Sequence, residues 1–395
     1  MTFISLGRYF ACDYQRKNQY LWNKTMQSNV ITPAACAKKR VFLRVDLNVP
    51  LAHGQIVDDQ RLQAIIPTLQ LLTKNAACVT IATHLGKPDH THPDQALSTR
   101  QLIPWFAAHG FTVTFAENPL AAAALALAGC TLILLENLRF FPGEQEPSAA
   151  CAHTLAALAD CYVTDAFATL HRNDTSIALL PGCFTPENRF YGLCIARELN
   201  ALETICTSPQ QPFMAVLGGN KLTTKLPLIQ QLMMVPPAQR VSHVLLGGLL
   251  GIDLDKNAPE LIALALQQAV TLLLPIDYRT DAAGNTIDIG PATEELFISC
   301  LGKAQTIFAN GTMGKYEEKD GQAGTYAILR AIAQSDGFTL LGGGDCAAAA
   351  EQCGVADKVS CVSTGGGATL AYLASKKPWQ DLPGLQALIA IIAVV

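Results

Sequence analysis

The sequence predicts an α/β chain of two parallel-sheet domains, and three observations carry that prediction. Its 395 residues exceed what one ordinary hydrophobic core holds, so two domains are expected. From Val41 onward, short apolar runs alternate with amphipathic segments of helical length, the pattern of βα units. The runs form two groups, separated by a change of texture before Phe213, and each group ends its strands on a different kind of residue.

In the first group the predicted strands are VFLRV (41 to 45), CVTIA (78 to 82), FTVTF (111 to 115), TLILL (131 to 135) and CYVT (161 to 164). Each is short, rich in branched or aromatic residues and bounded by polar or turn residues. The second group comprises FMAVL (213 to 217), HVLL (243 to 246), TLLL (271 to 274), TIFA (306 to 309), FTLL (338 to 341) and SCVS (360 to 363). The uncharged stretch from Asn118 to Leu135 is alanine-rich and broken by Gly129, which predicts a buried helix and then a strand instead of a membrane span.

Ligands of open parallel sheets bind beyond the carboxyl ends of the strands. The first group ends in Asp46 and Asn48, then His84, Arg139 and Asp165, with His171 and Arg172 just downstream. Arg61 and Lys87 join them if the intervening loops fold back. Cations converging on one edge repel each other unless an anion neutralises them, so a small anionic substrate is expected there. The second group ends in Gly218 and Gly219, Gly247 and Gly248, Asp277, Asn310 and Gly311, the run Gly342 to Asp345, and Thr364 to Gly367. Glycines at strand-to-helix turns let backbone amides approach a phosphate, so a nucleotide is expected in this half. The two edges together predict a cleft for two substrates.

Other classes are set aside by composition. The 28 Lys and Arg against 32 Asp and Glu give a net charge of -4, with no excess to draw nucleic acid or a membrane surface. The 13 cysteines are odd in number and form no CxxC pair, so neither a disulfide framework nor a zinc site is indicated, and a reducing cytosol is expected. GGGDCA (342 to 347) fits the looser dinucleotide fingerprint, but no acid lies between Lys358 and Trp379 to hold a ribose, which argues against NAD. Residues 1 to 39 have seven basic residues with Arg40 against the single acid Asp13, and are expected to be a disordered extension with Met26 as the beginning.

VLGGNKLTTKLPL (216 to 228) places Lys221 and Lys225 at a strand end, with Pro227 expected in the first turn of the next helix. Cations there oppose the helix dipole unless an anion binds. With RVDLNVP (44 to 50), VDDQRLQAIIPTL (57 to 69), THLGKP (83 to 88), LLENLRFFPGE (134 to 144), DAFATLHR (165 to 172), LGGNKLTTK (217 to 225), DIGPATEELF (288 to 297), NGTMGKYE (310 to 317), GGGDCAAA (342 to 349) and STGGGATL (363 to 370) in order, the chain resembles phosphoglycerate kinase from about Lys39 to Leu388.

The resemblance implies two doubly wound, Rossmann-like domains facing a central cleft: 40 to 190 for the phosphoglycerate, 207 to 381 for the nucleotide, an interdomain helix at 191 to 206, and a tail at 382 to 395 returning to the first domain. It implies reversible phosphoryl transfer from 1,3-bisphosphoglycerate to ADP, giving 3-phosphoglycerate and ATP with Mg2+, by a hinge-closing monomer with small-molecule partners only. By the same resemblance Lys221 accompanies the phosphoryl group, Lys225 holds nucleotide phosphate, and Arg61 meets the substrate carboxyl end and the phosphoryl in transit. Asp46, Asn48, Gln60, His84, Lys87, Arg139, His171 and Arg172 match the glycerate pocket. Asn310 matches the contact to the terminal phosphate, Glu317 the ribose contact, Asp345 the magnesium ligand and Gly248 the base contact, with Gly343, Gly344 and Cys346 beside the nucleotide. A non-catalytic homologue that binds nucleotide or phosphoester is the other class of reading.

Departures from the family pattern are local. Lys87 stands for an arginine, exchanging a bidentate fork for a point charge, which implies about ten- to a hundredfold weaker glycerate binding. Asp174 stands for a histidine and is expected to draw Arg172 off the substrate. Ala168 stands for glycine, Leu249 for the third glycine of a triplet, Ala309 for tryptophan, Thr312 for proline and Cys346 for serine or threonine. The segment from Leu250 to Val270 is shorter than usual.

Overall fold

Strand β1 (Arg40–Val45) is buried from its second residue onward on both faces, which only a central strand of a covered sheet allows. A computed structural model describes residues 29–88, 90–252, 254 and 258–389. The chain divides into two units, one running to Ala196 and taking in the chain from Pro383, the other spanning Arg197–Leu382. Both are α/β with a six-stranded parallel sheet.

In the first unit β1 is followed by a small hairpin of β2 (Leu51–Ala52) and β3 (Gln55–Ile56), then by β4 (Cys78–Ala82), β5 (Thr114–Ala116), β6 (Leu132–Leu135), β7 (Cys161–Asp165) and β8 (Arg189–Tyr191). The sheet order is β5-β6-β4-β1-β7-β8. The chain therefore reverses direction between β1 and β7, which pair in register from Val41 with Cys161 to Val45 with Asp165. That junction is where an open sheet leaves a crevice. The core beneath it is built from Leu43, Val45, Leu62, Leu69, Ile81 and Val163.

Three expectations are corrected here. Residues 29 to 39 are not a disordered extension: Ile31 donates to the Tyr191 carbonyl at 2.9 Å, Ile31 and Cys36 are buried, and Thr32 caps the helix Pro33–Cys36. A Thr-Pro start and two β-branched residues were the local signals. The first 28 residues lie outside those described. The alanine-rich helix (Pro119–Leu127) is a surface helix with only Ala122 buried and Leu120 and Leu127 exposed, because alanine gives it little area to bury. Phe111, expected to open a strand, packs into the core ahead of β5.

The second unit contains β9 (Phe213–Leu217), β10 (His243–Leu246), β11 (Thr271–Leu273), a hairpin of β12 (Tyr278–Thr280) and β13 (Thr286–Ile289), then β14 (Thr306–Asn310), β15 (Phe338–Gly342) and β16 (Cys361–Val362). The sheet order β11-β10-β9-β14-β15-β16 is the doubly wound order of nucleotide-binding sheets, with the reversal between β9 and β14. Apolar residues of these strands pack with Phe297, Leu301, Ile328 and Leu329 from the flanking helices.

The helix Leu193–Thr207 spans the division between the units. Its N-terminus is held by Asp165, whose carboxylate accepts from the Ile195 amide at 2.9 Å and the Thr68 hydroxyl at 2.6 Å. Asp165 is therefore a cap, and its place at a strand end is not a place in the ligand edge.

Candidate active site

The carboxyl ends of β1, β4, β6 and β7 gather most of the cations expected in the first unit. Arg61, on the short helix Gln60–Ala64, donates to Asp46 Oδ2 at 2.8 Å and to the Asn48 carbonyl at 3.1 Å. Asn48 Oδ1 accepts from the Gly86 amide at 2.7 Å, tying the β1 loop to the loop that carries Lys87. Arg139 sits in the turn Leu138–Phe140 and donates from Nη1 to the Gly86 carbonyl at 2.7 Å. Asn137 fixes that turn by bonds to Leu85 and Leu97.

His84 is buried at the centre of this group. Its Nδ1 lies 3.4 Å from Arg44 Nη2 and its Nε2 lies 3.4 Å from Arg172 Nη1. Burial first, then Arg44, Arg139, Arg172 and Arg61, push its pKa well below the ordinary histidine value. It is a neutral ring among four guanidinium groups. Burial and the charge of Arg172 likewise pull Arg139 down, and Arg139 Nε is a buried donor with no partner.

An unsatisfied buried cation is costly, and an anionic ligand removes the cost. Asn48, Gly86, Lys87, Arg139, Gln145 and Arg172 line an open pocket of ≈ 400 Å³ that gives such a ligand room. Asp46, Arg61 and His84 support it from beside and below. Gln60 opens the Arg61 helix with its amide on Asp58 Oδ1, and His171 lies exposed next to Arg172, so neither lines the pocket.

Asp174 does not draw Arg172 away. Its Oδ2 is buried without a hydrogen-bond partner, and Arg172 stays against His84.

Two contributors escape a reading of strand ends. Arg44 lies fully buried inside β1, where it donates to Ser176 Oγ at 2.9 Å and to the Val45 carbonyl, with Glu144 held by Ser176 on the other side. An arginine in the middle of a strand buried on both faces was the signal. Gln145 follows directly on the FFPGE run, and nothing in its residue type marks it.

In the second unit the glycine loops interlock at the junction of β9 and β14. The Gly218 amide donates to the Asn310 carbonyl at 3.0 Å, and a Cβ on Gly311 would collide with the Gly218 carbonyl. Gly248, after β10, packs its backbone against Gly219. Asn310 Nδ2 donates to the Gly342 carbonyl at 2.7 Å, which brings the β14 and β15 loops together. Gly343 has φ +97° and caps the helix Gly344–Gln352, so Gly344, Asp345 and Cys346 form its first turn.

Lys221 is exposed ahead of the turn Leu222–Thr224, and Lys225 is the residue before the helix Leu226–Met234, with Pro227 in its first turn. Burial pushes the Lys225 ammonium down while Cys346 and Asp345 draw it up, which places it by the Gly343–Cys346 turn. The Cys346 thiol is pushed up to about 12 by burial and is not a nucleophile at neutral pH. Glu317 is exposed in the loop after β14, next to the buried Tyr316, whose hydroxyl feels both Asp345 and Glu317 after the larger effect of burial. Cations and glycine amides at a helix start form a phosphate site.

The family model for phosphoglycerate kinase matches residues 31–260 and 252–376. A phosphoglycerate kinase of Gloeobacter violaceus is 36% identical over 400 residues, covering 89% of this chain and 95% of its own. One of Streptomyces avermitilis is 36% identical over 405 residues, covering 89% and 96%. Among solved structures, phosphoglycerate kinase from Coxiella burnetii aligns with TM-score 0.76 at 29% identity over 90% of this chain and 97% of that one. The enzyme from Pyrococcus horikoshii aligns with TM-score 0.75 at 28% identity over 90% and 96%. The chain belongs to the phosphoglycerate kinase family.

Proposed function

We propose that this protein transfers the acyl phosphoryl group of 1,3-bisphosphoglycerate reversibly to ADP, forming 3-phosphoglycerate and ATP. The observation that carries the reading is the buried, unpartnered Arg139 Nε at the strand ends where Arg61, Arg172 and the neutral His84 also meet, a charge set that needs a multiply charged anion. Asn48, Lys87, Arg139 and Arg172 hold the phosphate ester of the glycerate, and Arg61 holds its carboxyl end. Lys225 and the Gly343–Cys346 turn hold the nucleotide phosphates, with Asn310 at the terminal one, Gly248 under the base and Glu317 at the ribose.

The attacking atom is a phosphate oxygen and the leaving atom a carboxylate oxygen. Neither needs a proton moved, so no general base is required, and positioning and charge supply the catalysis. Lys221 and Arg61 neutralise the phosphoryl group in flight. Asp345 offers one exposed carboxylate at the start of its helix, the donor set suited to a magnesium ion carried on nucleotide phosphates. When bound, that ion neutralises phosphate charge.

Transfer between ligands held on different units requires closure around them and exclusion of water from the acyl phosphate. Small-angle scattering should show compaction only when both ligands are present. In this reading the protein acts in the cytosol, which the free thiols of the described cysteines support, and as the monomer that the family resemblance implies; no described helix is long and apolar enough to cross a membrane. A coupled assay of ATP formation tests the function, and activity no higher than that of Lys221→Ala refutes it.

A further inference from the structure

We propose that Asp59 and Trp105 are positioning residues for this transfer, holding through a four-residue clasp the short helix that presents Arg61; the inference rests on the phosphoryl-transfer reading above. The helix Gln60–Ala64 has five residues and is joined through the buried Ile65 to the helix Ile66–Asn75, so its far end is anchored while the end that carries Arg61 depends on side-on contacts. Its neighbours must set that end.

On one side Arg61 is bonded to Asp46 and Asn48. Asp59 and Gln63 are four residues apart and share a different face, turned to the helix Ile103–Ala108. Trp105 Nε1 donates to Asp59 Oδ2 at 2.8 Å, and Gln63 Nε2 donates to the same oxygen at 2.9 Å. Gln63 Nε2 also lies 3.0 Å from His109 Nε2, and His109 Nδ1 lies 2.8 Å from the Trp105 carbonyl. A carbonyl only accepts, so Nδ1 carries the ring proton and Nε2 accepts from Gln63. The donors and acceptors then close a ring, with the imidazole stacked on the indole at 4.0 Å between centroids.

None of these four residues lines the glycerate pocket, so the clasp acts only through what it holds. Burial pushes the Asp59 carboxyl up, but the hydrogen bonds from Trp105 and Gln63 hold it below the ordinary range, so the Trp105 bond ends on a carboxylate and is strong. Freeing it lets the helix turn and carries Arg61 off line, and a misplacement of about 1 Å at a transfer site costs up to about a hundredfold in rate.

Trp105→Phe keeps the packing and removes the donor. It should lower kcat for ATP formation about five- to thirtyfold with KM for ADP unchanged. Asp59→Asn keeps an acceptor and should stay within about threefold of wild type, while Asp59→Ala should match Trp105→Phe. In an Arg61→Lys background Trp105→Phe should have no further effect, on kcat or on 3-phosphoglycerate affinity by calorimetry, because its route runs through Arg61. Equal losses in both backgrounds, or full kcat in a folded Trp105→Phe protein, overturn the proposal. If Trp105→Phe does not fold, the exposed Gln63→Leu enters the same cycle with the same two outcomes. A wild-type protein that binds both substrates but forms no ATP removes the reaction reading instead, and is told apart by that control.

Discussion

The neutral His84 makes the first unit sensitive to acid. His84 is held unprotonated by burial and by Arg44, Arg139, Arg172 and Arg61, whereas the unfolded chain protonates it near 6.5. Its folded value is the lower one, so the stability it confers is present above about 6.5 and is lost as pH falls below that value. His84→Gln should flatten this decline, and the Tm of the variant relative to that of wild type by calorimetry should rise steadily from pH 7 to 5. A constant difference would mean that the ring titrates alike in the folded and the unfolded chain. Lys87 is the second test at this scale. It lines the pocket with Arg139 and Arg172, and a guanidinium there adds a second parallel bond to phosphate. Lys87→Arg should lower KM for 3-phosphoglycerate about tenfold, and an unchanged value would show that Lys87 points elsewhere. The sequence exposed these residues because charge at a strand end is conspicuous. It concealed Arg44, whose role depends on which strand is central, and Gln145, whose side chain is ordinary anywhere on a surface.

At the scale of elements, the strand ends were readable because a parallel strand must be apolar along its length and then stop. Strands β8, β12 and β13 were not, being only three or four residues long, with β8 paired to β7 across an intervening segment and β12 and β13 paired only with each other in a hairpin. Sheet order was equally hidden, yet it decides which loops meet. The loops after β9 and β14 meet because the order reverses between them, and they approach so closely that Gly311, at φ +88°, has the Gly218 carbonyl where a Cβ would go. Gly311→Ala is strained twice, by dihedral and by contact, and should cost more than about 1 kcal/mol, or about 2 to 4 °C in Tm for a unit of this size. It should also weaken ADP binding by more than about tenfold while leaving 3-phosphoglycerate binding intact. Calorimetry with each ligand separates the two effects, and equal losses for both would place the damage outside the nucleotide loops.

For the whole molecule, the chain leaves its first unit at Ala196 and comes back to it at Pro383, so that unit is complete only after the last helix is made. The return is physical. Leu385 and Leu388 are buried, the Gly384 amide donates to the Leu170 carbonyl at 2.9 Å, and Arg189 reaches the Ala387 carbonyl. A Cβ on Gly384 would press on Leu170 and Ile177, so the helix Pro383–Leu388 sits directly behind the segment that carries His171 and Arg172. The return was expected only from the family resemblance, because the residues alone give no address: an amphipathic or apolar segment fits any exposed core face. Ending the chain at Leu382 removes two buried leucines, worth at most about 3 to 6 kcal/mol together. That is a large part of the stability of one unit. The truncated protein should lose the first unit's unfolding transition or shift it down by more than about 10 °C, and with it 3-phosphoglycerate binding. ADP affinity, which the proposed function assigns to Lys225 and the Gly343–Cys346 turn in the other unit, should stay within about twofold of the full chain. Two unmoved transitions would show that the tail stabilises neither unit, and loss of ADP binding alone would show that it serves the second unit instead.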